Sequence, residues 1–333
     1  MASQDFLHKD AETPLCGRYI VAGAVCSFST NSEQLLEVAQ GTFLRATLRS
    51  VANDFSVRLW VDDSDRAHSP WPKPYVRGLD HLVFAGFDAG SSILADLRSR
   101  RVIGRFSAGM AADSSYWRMV IFPILLSVVA GSIGIVELHA ACVARDRQGL
   151  VLIGPSRSGK STLAMALTKA GFGLLSDDRT FCSFKRGRLI AWGIRRPLKL
   201  RPEAAAWFEN FRGREPVDFQ DGERVFHCEL EPRQGGTVPA ECEPRALVFL
   251  NRQEGPGYST TPMKRSEARF RIETDLLAET PDAVKKQAAT IDRLLEIPCW
   301  SLRYGGRPQA IAEQISASFF NGSGDQSPRG MTS

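Results

Sequence analysis

Apolar positions along the chain fall into short clustered runs in the first third and into alternating strand-like and helix-like runs thereafter. RYIVAGAVCSF (residues 18–28) and FSVRLWV (55–61) gather β-branched and aromatic residues between turn-like stretches, and both predict strands. Residues 32–51 between them show helical spacing in places. HSPWPKP (68–74) is a proline-broken loop, and residues 80–107 read as short strands or hairpins. No chemical motif falls in this region, which predicts a smaller mixed α/β accessory domain over residues 1–107 with a loose start of about fifteen residues.

A second region, residues 108–320, opens with MVIFPILLSVVAGSIGIV (119–136), eighteen residues without a charge. That length reaches the lower limit for a membrane span. Pro123, Gly131 and Gly134 interrupt it and mean hydropathy over the chain is −0.17, so it reads as a buried helix near 117–130, a glycine turn and a strand from about 135. No membrane association is expected. The polar turn Arg145-Asp146-Arg147-Gln148-Gly149 is too short for a parallel crossover, so the strand after it should run antiparallel to the one before. A helix with Leu163, Leu167 and Ala170 on one face follows, then a strand in 172–178 and a hairpin in 180–193 turning at Lys185-Arg186-Gly187. Strands are predicted at 245–252 and 299–304 and helices near 282–295 and 307–320, with a disordered Gly/Ser/Pro tail at 321–333.

With 43% hydrophobic and 24% charged residues in 333, wholesale disorder is excluded. The net charge of +5 suits an anionic ligand such as a nucleotide, and no nucleic-acid-binding module accompanies it, so no nucleic-acid partner is expected. Seven scattered cysteines without a C-x-x-C signal neither a zinc site nor a disulfide framework, and the polar start lacks a secretory pattern; a cytoplasmic location is the expectation.

The sharpest signal is Gly154-Pro155-Ser156-Arg157-Ser158-Gly159-Lys160-Ser161, followed by Thr162, which fits G-x-x-x-x-G-K-[ST] at every fixed position. Such a match arises by chance in a chain of average composition on the order of 1% of the time. An apolar strand before it and a helix after it supply the context the motif needs. Backbone N–H groups of the loop and helix start would face phosphate oxygens, Lys160 the β and γ phosphates, and the Ser161 hydroxyl a Mg²⁺ ion. Asp177-Asp178 close the next strand, where a metal-binding or base carboxylate is expected. Side chains alternate along a strand, so the two share a role only if the strand has already turned. Glu137 and His139 share a face of the strand before the loop; the histidine there suits either an orienting and proton-relaying role or a structural one.

Residues 138–179, LHAACVARDRQGLVLIGPSRSGKSTLAMALTKAGFGLLSDDR, resemble the catalytic domain of the HPr kinase/phosphorylase family and its HPr-kinase-like serine kinases, related in fold to phosphoenolpyruvate carboxykinase. A looser likeness runs over 108–320, through RRPLKLRPEA, ALVFLNR and IPCWSLRYGG. The resemblance implies an α/β P-loop kinase domain with a mixed sheet. It implies Mg²⁺- and ATP-dependent phosphorylation of a serine hydroxyl on a peptide or protein. Carried over, Asp178 is the general base, Asp177 lies toward the metal, His139 supports the pair, and Lys160 and Ser161 hold phosphate and metal. The stretch Trp192-Gly193-Ile194-Arg195-Arg196-Pro197 stands where bifunctional members carry a glutamate metal ligand; it has none, so dephosphorylation is not expected. Arg195, Arg196 and Arg252 are candidate phosphate clamps, because guanidinium groups bind phosphate bidentately, or else solvated strand-end charges. Family relatives form oligomers, often hexamers, and no feature of this sequence fixes a homo-oligomeric state. The competing readings are a kinase for a small hydroxyl compound such as free serine, and a non-enzymatic nucleotide-responsive binding module. A carboxykinase is not expected.

Overall fold

The protein is seen here as a computed structural model that describes residues 12–47, 52–62, 68–185, 187–194, 196–218, 223–228, 241–276 and 280–320. It divides into two compact units, Met1–Ile135 with Leu277–Gln287, and Val136–Leu276 with Ala288–Ser333. The division falls at 135/136, later in the chain than the 107/108 boundary read from the sequence. The reason is aromatic packing. Trp117 packs at a tilt against Phe106 with ring centroids 4.6 Å apart and Phe122 edge-on against Phe43 at 4.8 Å, which ties the helical stretch to the first unit. The tail 321–333 and the first eleven residues lie outside the described residues.

The first unit is built on a mixed eight-stranded sheet in the order Leu44–Arg45, Leu15–Val21, Ala24–Thr30, Phe55–Asp62, Arg101–Ser107, Ser92–Asp96, Leu82–Gly86, Tyr75–Leu79. The two central pairings, Ala24–Thr30 with Phe55–Asp62 and Phe55–Asp62 with Arg101–Ser107, are parallel and the others antiparallel. Residues 18–28, read from the sequence as one strand, form a hairpin instead. Ala22 and Gly23 both take positive φ (49° and 76°), the conformation of a two-residue turn whose twist matches its strands. The uncharged stretch through Ile133 lies in a continuous helical run, Ser114–Ile133, long and apolar enough to cross a membrane, and 72% of its apolar window is buried within the protein.

In the second unit the strand Val136–Arg145 pairs antiparallel with Gln148–Ile153, as the short turn requires, and along its other edge with Gly173–Ser176 and Arg179–Lys185. The sheet continues through Arg188–Trp192, Glu241–Arg252, Cys299–Gly305 and Gly257–Pro262. Gln148–Ile153 also pairs in parallel with Glu241–Arg252, so the pairing path closes on itself. Both faces are covered, which is why these strands read as unbroken apolar runs. Leu150, Leu152, Val248 and Leu250 enter one core with Leu163 and Leu167 of the helix Lys160–Lys169 and Ile315 of Pro308–Phe320. Val151, Leu247 and Phe249 enter the other, with Ile272 of Arg265–Glu273 and Ile291 and Leu294 of Pro281–Leu294. A small antiparallel sheet, Leu198–Leu200, Arg224–Cys228 and Val217–Asp218, completes the unit. Overall the chain is mixed α/β, with two large mixed sheets.

Candidate active site

The strand Gln148–Ile153 runs into the glycine-bracketed loop, and the helix Lys160–Lys169 starts at its far side. The loop turns through a Ser158 N–H bond to the Pro155 carbonyl at 3.1 Å, with Arg157 and Gly159 at φ 68° and 91°. Glycine is required at 159 twice over. The left-handed backbone favours it, and a Cβ there would run into the Tyr304 hydroxyl. That hydroxyl donates to the Ser158 carbonyl at 2.5 Å, fastening the loop to the end of the strand Cys299–Gly305. Burial pushes the Tyr304 phenol up, against a smaller pull from the Arg252 charge, so it keeps its proton and stays a donor.

Three features fit this loop to an anion. The helix has no side-chain cap at Gly159, which leaves its first N–H groups without that partner. The buried Ser158 Oγ has no hydrogen-bond partner among the described residues. The buried Lys160 ammonium is held by the loop's own Gly154 and Pro155 carbonyls, at 2.7 and 3.1 Å, where it is ready to exchange them for a negative ligand. Burial pulls the Lys160 ammonium below its ordinary range, and the charges of Asp178 and Asp275 pull the other way.

Beyond the helix, Gly173–Ser176 hands over to Arg179–Lys185 along the same neighbouring strand, and Asp177-Asp178 occupy the break. A hydrogen bond between Ser176 Oγ and Thr180 Oγ1 (2.6 Å) spans that break, and Thr180 Oγ1 also donates to the Ala140 carbonyl at 2.9 Å. Because the strand has ended by Ser176, alternation no longer separates the two aspartates. Both reach one Arg196 nitrogen, Asp177 Oδ1 at 3.0 Å and Asp178 Oδ2 at 3.3 Å. The approach that brings Arg196 there depends on Gly193, where a Cβ would collide with the Leu175 carbonyl.

The two carboxylates differ in their surroundings. Asp177 is 2% exposed, and its second oxygen accepts the Lys199 backbone N–H at 3.0 Å. Asp178 is 45% exposed and faces His139 Nε2 at 3.2 Å across Oδ1. Burial pushes the Asp178 carboxyl up, but the His139 hydrogen bond, the Arg196 charge and the His139 and Arg179 charges outweigh it. The net effect holds it well below the usual carboxylate range. Around the Arg196 guanidinium burial works against the charge, and the two aspartates more than restore it. Arg179, cross-strand from His139, pairs with Glu137 at 2.7 Å, so both polar residues on that strand face are engaged.

One cavity of about 700 Å³ is lined by His139, Lys160, Ser161, Asp177, Asp178 and Arg252 together. Ser161 Oγ lies 3.4 Å from the Asp177 backbone carbonyl. Of the three candidate arginines, Arg252 is exposed on this cavity, Arg196 is taken up by the aspartates, and Arg195 lies outside the described residues. Among the described residues no group of three or more His, Cys, Asp or Glu side chains forms a metal cage. A divalent ion here would therefore depend on phosphate oxygens and water for most of its shell, as Mg²⁺ commonly does. Tyr304 and Lys199 escaped the sequence reading. Their partners, Ser158 and Asp177, are 146 and 22 residues away, and neither tyrosine nor a backbone N–H carries a motif.

No protein-family model matches the chain, and no curated protein matches its sequence. Among solved structures it is similar to the HPr(Ser) kinase/phosphatase from Coxiella burnetii, with 17% identity and a TM-score of 0.28 over 54% of this chain and 93% of that one.

Proposed function

We propose that the chain is a Mg²⁺- and ATP-dependent kinase that transfers the γ-phosphate to a serine hydroxyl of a peptide or protein. The observation that carries this reading is the meeting, in one cavity, of the anion-ready loop with an ionised, half-exposed carboxylate. The resemblance of residues 138–179 to HPr-kinase-like serine kinases points the same way.

In this reading the residues Gly154 to Thr162 cradle the phosphates, and Lys160 leaves its two loop carbonyls for the β and γ phosphate oxygens. Ser161 Oγ would help hold Mg²⁺, which would neutralise charge on the phosphates when bound. Asp177 has both oxygens committed to Arg196 and Lys199, so its negative charge, rather than a free oxygen, is what it would offer a bound metal. Asp178 accepts the serine proton. A weak carboxylate base suffices, because phosphoryl transfer is mainly positioning and charge neutralisation. His139 and Arg196 fix the direction of that carboxylate from its two sides. Arg252, which lines the same cavity, is a further partner for phosphate oxygens in this reading.

The test is phosphate transfer from ATP to a serine peptide and to free serine, read by mass spectrometry, in wild type, Lys160→Ala and Asp178→Asn. We expect Lys160→Ala to lose nucleotide binding by calorimetry. Asp178→Asn should keep it and lose transfer by about 10²–10⁴-fold. Transfer at the wild-type rate by Asp178→Asn would remove the base, and a chain that binds no ATP would remove the whole reading.

A further inference from the structure

We propose that a second cavity in the same unit is the docking groove for an acidic peptide segment of the phosphate acceptor, an inference that rests on the kinase reading above. This cavity, about 1220 Å³, shares one wall with the first: Trp207 lines both. The indole is 42% exposed although it is the largest kind of apolar side chain. Its backbone is pinned, since Gln309 Nε2 donates to the Trp207 carbonyl at 2.8 Å and the Trp207 N–H bonds to Ala204. A large, exposed ring on a pinned backbone, lining two cavities at once, is an anchor in search of a partner.

The floor of the second cavity is apolar and settled, with Phe208, Phe211 and Phe226 at 5%, 4% and 9% exposure. Its rim is cationic. Among the described residues lining it are Lys169, Arg212 and Arg307 against one carboxylate, Glu209, and both Arg212 and Arg307 are exposed. ATP and a small hydroxyl compound need only the first cavity. An acceptor that also fills the second must be a chain long enough to pass Trp207, and charge complementarity makes that part of it acidic. Single-stranded nucleic acid would instead ask for successive stacking platforms, and here one aromatic side chain is exposed.

The experiment compares fluorescein-labelled serine peptides of equal length, one flanked by glutamates and one by glutamines. Binding to the full chain is read by anisotropy without nucleotide. The acidic peptide should bind about tenfold tighter or more, and the double substitution Arg212→Glu with Arg307→Glu should abolish that preference. Both arginines lie on the surface, and unchanged ATP affinity of the variant verifies its fold. Equal affinity for the two peptides overturns the proposal, as does a preference that survives the double reversal. Tighter binding of a labelled oligouridylate than of the acidic peptide overturns it too, in favour of RNA. The same peptides are then incubated with Mg·ATP. Arginine-dependent acidic binding without transfer would remove the kinase reading while leaving an acidic-peptide site in place.

Discussion

Both units satisfy the backbone of a strand with a polar side chain, and they do so with different chemistry. In the first, Asn31 extends the ladder beyond the last backbone pairing: its amide accepts the Val61 N–H at 2.7 Å and donates to the Val61 carbonyl at 3.0 Å. In the second, Asp177 in the break of the large sheet accepts the N–H of Lys199 in the small antiparallel sheet, but with a charged group that then needs Arg196. A neutral amide satisfies a strand's backbone at little electrostatic cost. A buried carboxylate does so only with a buried cation beside it, and that cation has donors left to hold a second carboxylate, Asp178, at the cavity wall. The ionic solution is the costlier one to fold, and it is the one that leaves a charge where chemistry can use it.

The comparison is strained hardest by removing Arg196. In Arg196→Met the Asp177 carboxyl group is left 2% exposed and without its counter-charge. Stripping one member from such a pair costs about 3–5 kcal/mol, so denaturant unfolding of the second unit should show a loss of that order. A loss below about 1 kcal/mol would mean that Asp177 is wetter than its surroundings imply. Next in size is Asn31→Ala, which leaves the N–H and carbonyl of the 8%-exposed Val61 without these bonds. The expected cost is about 1–3 kcal/mol, with phosphate transfer unchanged. An equal loss of transfer would show that the two sheets do not carry separate duties.

How much of this was legible in the sequence follows from the range of the interactions. The turn at 145–149, the loop at 154–159 and the helix behind it are local, and the sequence states each through spacing and residue type. The pairing of His139 with Asp178 came through the resemblance, since alternation alone left the histidine between two roles. The reassignment of Arg196 was hidden, because Gly193 looks like any loop glycine until the Leu175 carbonyl is found against it. The hairpin at Ala22-Gly23 was hidden for another reason. Alanine at positive φ is uncommon, and an apolar dipeptide within an apolar run gives no turn signal. The unit boundary moved because the packing of Trp117 and Phe122 depends on tertiary partners that spacing does not reveal.

The smallest effect on stability, and the finest test of the contrast, belongs to His139. Both His139 and Asp178 are close to half exposed, so His139→Ala should change stability by less than about 1 kcal/mol. Its effect is on protonation. Burial alone would raise the Asp178 carboxyl; the His139 hydrogen bond is the first of the interactions that reverse this, ahead of Arg196. A depressed folded pKa means that the carboxylate contributes stability above the unfolded value of about 3.9, and that this is lost as pH falls through the lower folded value. Removing the histidine must therefore move the Asp178 titration upward, toward the ordinary range, and bring the acid limb of transfer up with it. The carbon-13 shift of the Asp178 carboxyl, followed against pH in both proteins, reads this without relying on activity. The wild-type titration should lie below the ordinary carboxylate range and the variant's above the wild type's. Coincident curves would show that the arginine charges hold Asp178 ionised, and that His139 orients the carboxylate without setting its charge.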